Sequence, residues 1–229
     1  MELLEKQKMP LWDYVILTAS NESQAQSYRM QIQYRLDHGM LPKSIHYAVL
    51  PDPDGKRVGS GGATLNVLRY IHQDAGSFDD KRILVIHSGG DSKRVPQYSA
   101  CGKLFSPVPR LLPNGRRSTL FDEFMISMCG VAARIRAGML VCSGDVLLLF
   151  NPLQIDFYGS GAAALSIKEP AEIGKNHGVY RVDEQGNVGG FLHKKTVDQL
   201  HELQAADENG NVDIDTGLSL IHISEPTRH

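Results

Sequence analysis

The sequence predicts an α/β fold in which a mixed, mostly parallel sheet is flanked by helices. Three observations predict it. Short β-branched runs such as "YVILTA" and "RILVIH" alternate with longer stretches of helical spacing. The run "RILVIH" is apolar without alternation, as expected of a strand buried on both faces of a parallel sheet. Glycine clusters stand where strands end or helices begin, the places where an α/β chain turns.

In chain order, "WDYVILTAS" reads as the first strand. "NESQAQSYRMQIQYRLDHG" follows as a helix, with Tyr28, Ile32 and Leu36 at helical spacing and Gly39 as its stop. "SIHYAVLPDPDG" is a strand ending in a Pro/Asp/Gly turn. "GSGGATLNVLRYIHQ" is a glycine loop opening a helix, with Leu65, Leu68 and Ile71 along one side. After "RILVIHSGG", Ser118 is the expected N-cap of "TLFDEFMISMCGVAARI", where Phe121, Phe124, Met125 and Met128 share a face. "GMLVCSGD" and "GAAALSIKE" are further strands, and "GVYRVDEQGNVGGFLHK" is a strand pair around a polar turn.

A chain of 229 residues can bury one sizeable core. A formal net charge of -2 gives no reason to expect nucleic acid or a membrane surface as partner. Cys101, Cys129 and Cys142 have no C-x-x-C spacing and no even pairing, which fits a reducing, cytoplasmic setting. They read as small core or loop residues, not nucleophiles. The stretch "LSLIHISEPTRH" at the end is similar to the translation of a sequencing adaptor. The expectation is a domain over residues 1–217, incomplete at its C-terminus, followed by a non-native tail over 218–229.

The chemistry centres on "IHSGGDSKRVPQYSACGKLF", residues 86–105. A Walker loop needs Ser or Thr after its Gly-Lys, and here Leu104 follows Gly102 and Lys103. A dinucleotide fingerprint fails at "GSGGAT", where Thr64 fills the third glycine slot. The same stretch only faintly echoes a small-molecule kinase loop. What remains is a strand, Gly89 and Gly90, then Arg94, then Lys103. Paired glycines let backbone N–H groups approach phosphate oxygens. Arg94 offers a forked contact and Lys103 a compact positive charge. Lys93 reads as a solvated neighbour. A triphosphate suits this set, and sugar nucleotidyltransferases use a glycine loop, Arg and Lys in this order. Gly59, Gly61 and Gly62 open a helix, so their amides sit at its positive end. Asp145 ends a strand, and ligands of open α/β sheets bind beyond the carboxyl ends of strands. A carboxylate there can hold Mg2+ jointly with substrate phosphates.

Taken in order, "GSGGAT", "IHSGGDSKRVPQYSACGKLFSP", "CSGD", "NHGVY" and "DIDTG" resemble the L-fucokinase/L-fucose-1-phosphate guanylyltransferase family. The resemblance runs from about residue 12 to residue 217 and covers the N-terminal, pyrophosphorylase part of those bifunctional enzymes. It implies a glycosyltransferase-A-like nucleotidyltransferase domain that joins L-fucose 1-phosphate to GTP, with GDP-L-fucose and pyrophosphate as products. It also implies a C-terminal sugar kinase domain. By resemblance, Arg94 and Lys103 are the catalytic pair, and Gly59, Gly61, Gly62, Gly89 and Gly90 bind the nucleotide. Asp145, from its strand-end position, is the expected Mg2+ ligand; Gly178, Lys194 and Asp215 are expected on the sugar-phosphate side, with Asp215 open to sugar or metal. The family pattern has lysine followed by proline, whereas this chain has Lys194, Lys195 and Thr196, so the choice between the two lysines stays open. Two alternatives also remain at this level: part of a sugar kinase, and a catalytically silent nucleotide-binding domain.

Overall fold

The structure, a computed structural model, describes residues 11–88, 98, 102–151 and 161–222. The chain divides into two compact units, Met1–Ala163 with Leu220–His229, and Ala164–Ser219.

The first unit is built on four parallel strands. They are β1 (Tyr14–Ala19), β2 (His46–Pro51), β3 (Arg82–His87) and β6 (Gly138–Ser143), in the order β2-β1-β3-β6. β3 lies between β1 and β6, and Ile83, Leu84, Val85 and Ile86 are all inaccessible to solvent. This central position is why its sequence shows no alternation. The connections are helices, as parallel strands require: α1 (Glu22–Asp37), α2 (Gly59–Ala75) and α3 (Leu120–Ala132). Short 3-10 turns stand at Pro53–Gly55 and Lys103–Phe105, and β4 (Pro107–Leu111) pairs antiparallel with β5 (Arg117–Thr119).

Because side chains alternate along a strand, each sheet face has its own core. Tyr14, Ile16, Ile83, Val85 and Met139 pack against Val67 and Ile71 of α2. On the opposite face, α1 supplies Tyr28 and Ile32, while Phe105 stacks against both Tyr28 and Phe121 of α3. Phe121, Phe124, Met125 and Met128 are buried together, as their spacing predicts. The helical phase of α2 differs from the sequence expectation. Ala63, Val67 and Ile71 form its buried stripe, Leu68 is partly buried, and Leu65 is 66% exposed.

The start of α3 also differs. Thr119, not Ser118, is the N-cap; it forms a reciprocal capping box with Asp122. Ser118 is fully buried and donates instead to Glu123. Asp122 also accepts a fork from Arg35 of α1, Nε to Oδ1 at 2.7 Å and Nη2 to Oδ2 at 3.0 Å. Both residues are buried, and the Arg35 guanidinium lies 5.1 Å from the centroid of Phe105. The pair ties α1 to α3 beneath the sheet.

The second unit is antiparallel where its register is defined. β8 (Gly178–Val182) pairs with β9 (Val188–His193) and with β10 (Asn211–His222), which also pairs with β7 (Gly161–Pro170). The strand pair read from "GVYRVDEQGNVGGFLHK" is thus β8 and β9. A small core of Ala171, Val179, Leu200, Val212 and Ile214 joins these strands to two short helices, α4 (Ala171–Gly174) and α5 (Val197–Glu202). Thr196 caps α5 through a second reciprocal box with Gln199. β10 runs across the expected domain boundary at Gly217.

Burial by itself would raise the Asp122 carboxyl, but hydrogen bonds from Arg35 and its charge, with help from Thr119, hold it below its ordinary value. A carboxylate depressed in the folded state stabilises above its unfolded pKa of about 3.9, and that stabilisation disappears as pH falls through the folded value. Asp122→Asn should therefore cost about 3–5 kcal/mol at neutral pH, the scale for stripping one partner from a buried pair. Denaturant midpoints measure this, and the gap between variant and wild type should close in acid below about pH 4.

Candidate active site

A cleft of about 580 Å³ opens at the carboxyl edge of the parallel sheet in the first unit. Thr18 and Ala19 of β1, His87 of β3 and Ser143 of β6 form its floor, and Asp52 just past β2 and Asp145 just past β6 stand at its rim. Two helices begin here. Asn21 caps α1 by accepting from the Gln24 N–H at 2.9 Å, and α2 opens at Gly59 and Ser60. Free backbone N–H groups and the positive ends of both helix dipoles therefore collect at one edge.

Gly59 has φ +71, a left-handed conformation that suits glycine. It lines the cleft with Ser60, whereas Gly61 and Gly62 lie deeper in the first turn of α2, outside the lining. Lys103 and Asp145, 42 residues apart in sequence, meet across the cleft with Nζ 3.2 Å from Oδ2. The other Asp145 oxygen accepts from the Ser143 hydroxyl at 2.8 Å. Partial burial would raise this carboxyl, but the bonds from Ser143 and Lys103 and the ammonium charge hold it below its ordinary value. Its side chain remains 49% exposed and Lys103 is 33% exposed, so both charges are open to a ligand.

The position of Lys103 depends on Tyr28. This fully buried tyrosine of α1 donates from its hydroxyl to the Ser88 carbonyl at 3.0 Å. Its ring also occupies the space that a Cβ on Gly102 would need, and Gly102 has φ +66. One side chain thus fixes the chain both where it leaves β3, at Ser88, and where it comes back to the cleft, at Gly102. Gly89, Gly90, Arg94 and Cys101 fall between those points and outside the described residues.

His87 closes the floor. Thr64 donates its hydroxyl to the Ser60 carbonyl at 2.9 Å, so it accepts from Nε2–H of His87 at 3.0 Å, and Nδ1 accepts from Thr18 at 3.1 Å. Burial lowers the pKa of this imidazole, which favours the neutral form. Beside it, Gly144 donates its N–H to the His87 carbonyl, and a Cβ there would press on Ser88.

The expected sugar-phosphate residues belong to the second unit. Gly178 faces His193 across β8 and β9, so Lys194 follows at the same end of the pair. Asp215 follows Ile214, which faces Val179, and it accepts from Tyr180 Oη at 2.9 Å and from the Gly217 N–H at 2.8 Å. Strand register thus gathers Gly178, Lys194 and Asp215 at one end of that sheet. Lys194 is exposed and carries φ +50, while Lys195 is half-buried. Gly178 has a packing role too, since a Cβ there would collide with the Phe191 ring. Burial, together with the bond to Asp215 and its charge, pushes the Tyr180 hydroxyl well above its ordinary pKa.

Cys142 is fully buried and its thiol is pushed up by that burial, in keeping with a core residue and not a nucleophile. Among the described residues, no three His, Cys, Asp or Glu side chains gather as a metal cage. A single half-exposed carboxylate such as Asp145 still fits Mg2+, which is usually held by one or two carboxylates plus substrate phosphates. No helix among the described residues is long and apolar enough to cross a membrane.

A family model described as the Fucose pyrophosphorylase domain matches residues 75–224, which include β3, Lys103, Asp145 and the whole second unit. The chain belongs to the fucose pyrophosphorylase family. It is 31% identical to a bifunctional fucokinase/GDP-fucose pyrophosphorylase of Arabidopsis thaliana, over 92% of this chain and 23% of that protein. It is 32% identical to a fucose-1-phosphate guanylyltransferase of Mus musculus, over 85% of this chain and 35% of that protein. The corresponding figures for the Homo sapiens fucose-1-phosphate guanylyltransferase are 30%, 87% and 35%. The chain spans about a quarter to a third of the length of these relatives.

Sequence reasoning did not single out Tyr28, Asp52, His87 or Ser143 as part of this cleft. A signal for Asp52 was present. It stands just past the carboxyl end of a parallel strand, the same argument that selects Asp145. No comparable signal exists for Tyr28, whose partners are 60 residues and more away along the chain.

Because Lys103 helps depress the Asp145 carboxyl, Lys103→Met should move the Asp145 pKa upward while leaving the bond from Ser143 in place. An NMR titration of the Asp145 carboxyl carbon checks this, and an unmoved pKa would mean that the two side chains are not paired in solution.

Proposed function

We propose that this chain is the nucleotidyltransferase portion of a sugar-1-phosphate guanylyltransferase. It would join L-fucose 1-phosphate to GTP and release pyrophosphate, on a glycosyltransferase-A-like fold. The observation that carries this reading is the Lys103–Asp145 pair in a cleft at the carboxyl edge of a parallel sheet, in a chain of the fucose pyrophosphorylase family. The names of the relatives supply the choice of fucose and guanine.

The reaction needs no covalent enzyme intermediate. A phosphate oxygen of the sugar phosphate attacks the α-phosphorus of the triphosphate, the bond to the β-phosphate oxygen breaks, and pyrophosphate leaves in line. The protein's task is to position the reactants and neutralise charge. Lys103, freed from Asp145, would supply its ammonium to the triphosphate, with Arg94 and the backbone of Gly89 and Gly90 as further donors. The α2 N-terminus at Gly59, with Gly61 and Gly62 behind it, would face the nucleotide. Asp145 would hold Mg2+, which when bound supplies positive charge to the phosphates. Gly178, Lys194 and Asp215 would receive the sugar phosphate. A sugar kinase domain is the expected partner in the longer protein, as in the bifunctional Arabidopsis relative. The free thiols of Cys129 and Cys142 support a cytoplasmic setting.

Asp145→Asn keeps the shape of the side chain and its bond from Ser143 while removing the charge. Turnover measured by pyrophosphate release from GTP and fucose 1-phosphate should fall at least about a hundredfold, the scale of one lost electrostatic contact in the transition state. The variant should also need more Mg2+ for half-maximal rate. A wild-type rate with unchanged Mg2+ dependence would remove Asp145 from the reaction.

A further inference from the structure

The cleft is asymmetric in its chemistry, and the asymmetry bears on which base it accepts. At the β6 side stand Lys103, Ser143 and Asp145, the set suited to phosphates and a cation. At the β2 side stands Asp52, next to Gly55 and Arg57. The strand order β2-β1-β3-β6 separates the two sides by three inter-strand steps, about 14 Å at ordinary sheet spacing. That span suits a nucleotide laid across the strand ends with its phosphates at β6, its ribose over β1 and β3, and the far edge of its base at β2.

Asp52 is held firmly enough to read that edge. Its backbone N–H donates to the Ala19 carbonyl at 2.8 Å, which locks the end of β2 to the end of β1. Although it precedes the Pro53–Gly55 turn, its side chain makes no capping bond to that turn. The carboxylate instead lies near the Val58 backbone N–H and the Arg57 charge; burial pushes its pKa up and these two neighbours pull it back. A carboxylate has about four acceptor sites, and one neighbouring N–H can occupy no more than one of them.

We propose that Asp52 is the base-reading residue of this cleft, accepting the N1–H and the 2-amino group of guanine. A carboxylate only accepts, and guanine presents two adjacent donors along that edge. Adenine presents an acceptor at N1 there, which the carboxylate repels. Hypoxanthine lacks the 2-amino donor, and xanthine replaces it with a carbonyl. The residue thus selects for guanine and against the other purines. The proposal rests on the guanylyltransferase reading and specifies its source of base selectivity.

The test is a set of equilibrium titrations with GTP, ITP, XTP and ATP, run beside pyrophosphate release from fucose 1-phosphate with the same nucleotides. Wild-type protein should bind GTP best, ITP at least about tenfold less tightly, and ATP and XTP least, as for lost hydrogen bonds to a charged group. Asp52→Asn keeps the shape of the side chain and the backbone bond to Ala19, so a residue that only shapes the turn would tolerate it with base preference intact. As a base reader, the variant should lose at least about tenfold in GTP affinity and gain XTP binding, because its amide offers a donor to the xanthine carbonyl. An unchanged ratio of GTP to XTP affinity, with pyrophosphate release still present, would overturn the role of Asp52 and leave the nucleotidyltransferase reading standing. Pyrophosphate release from none of the four nucleotides by wild-type protein would overturn both.

Discussion

One buried side chain, Tyr28, sets the geometry on which the cleft depends. Its hydroxyl holds the Ser88 carbonyl at the end of β3, and its ring fills the space beside Gly102. Lys103 follows Gly102 directly, so its ammonium reaches Asp145 only because the returning chain is pressed against this ring. Tyr28 also stacks on Phe105, which stacks on Phe121 of α3. The aromatic column therefore links the cleft to the Arg35–Asp122 fork beneath it. A change in how α1 lies on the sheet would move the lysine as well as the core.

This dependence explains why some of the site was legible in sequence and some was not. Strand β3 could be read because burial on both faces demands an uninterrupted apolar run. Lys103 and Asp145 could be read singly, one after a glycine loop and one after a strand end. Their pairing could not, since it is made by tertiary packing between segments 42 residues apart. Asp52 satisfied the rule that selected Asp145, but its Pro/Asp/Gly neighbourhood reads first as a turn.

The helix boundaries carry a similar lesson. Ser118 and Thr119 are both good N-caps by residue type. The choice between them is made by Glu123 and Asp122, because Glu123 takes the Ser118 hydroxyl and Asp122 answers Thr119. Leu65 lies on a stripe that helical spacing permits. The sheet face of Tyr14, Ile16 and Val85 instead selects Val67 and Ile71. Helix α5, six residues long, gives too short a pattern for periodicity; its readable signal was the capping box of Thr196 and Gln199.

The Lys103–Asp145 pair has a further consequence for how charge enters the cleft. With the two side chains joined, each of these two charges at the β6 side of the cleft is balanced by the other. A lone anion would have to compete with the carboxylate for the ammonium, and a lone cation would have to compete with the ammonium for the carboxylate. Cargo that carries both signs replaces one ion pair with two and leaves the local charge balanced. In the proposed reaction the resting pair would therefore act as a valve, giving way best to a triphosphate that arrives with its cation and discriminating against either half arriving alone.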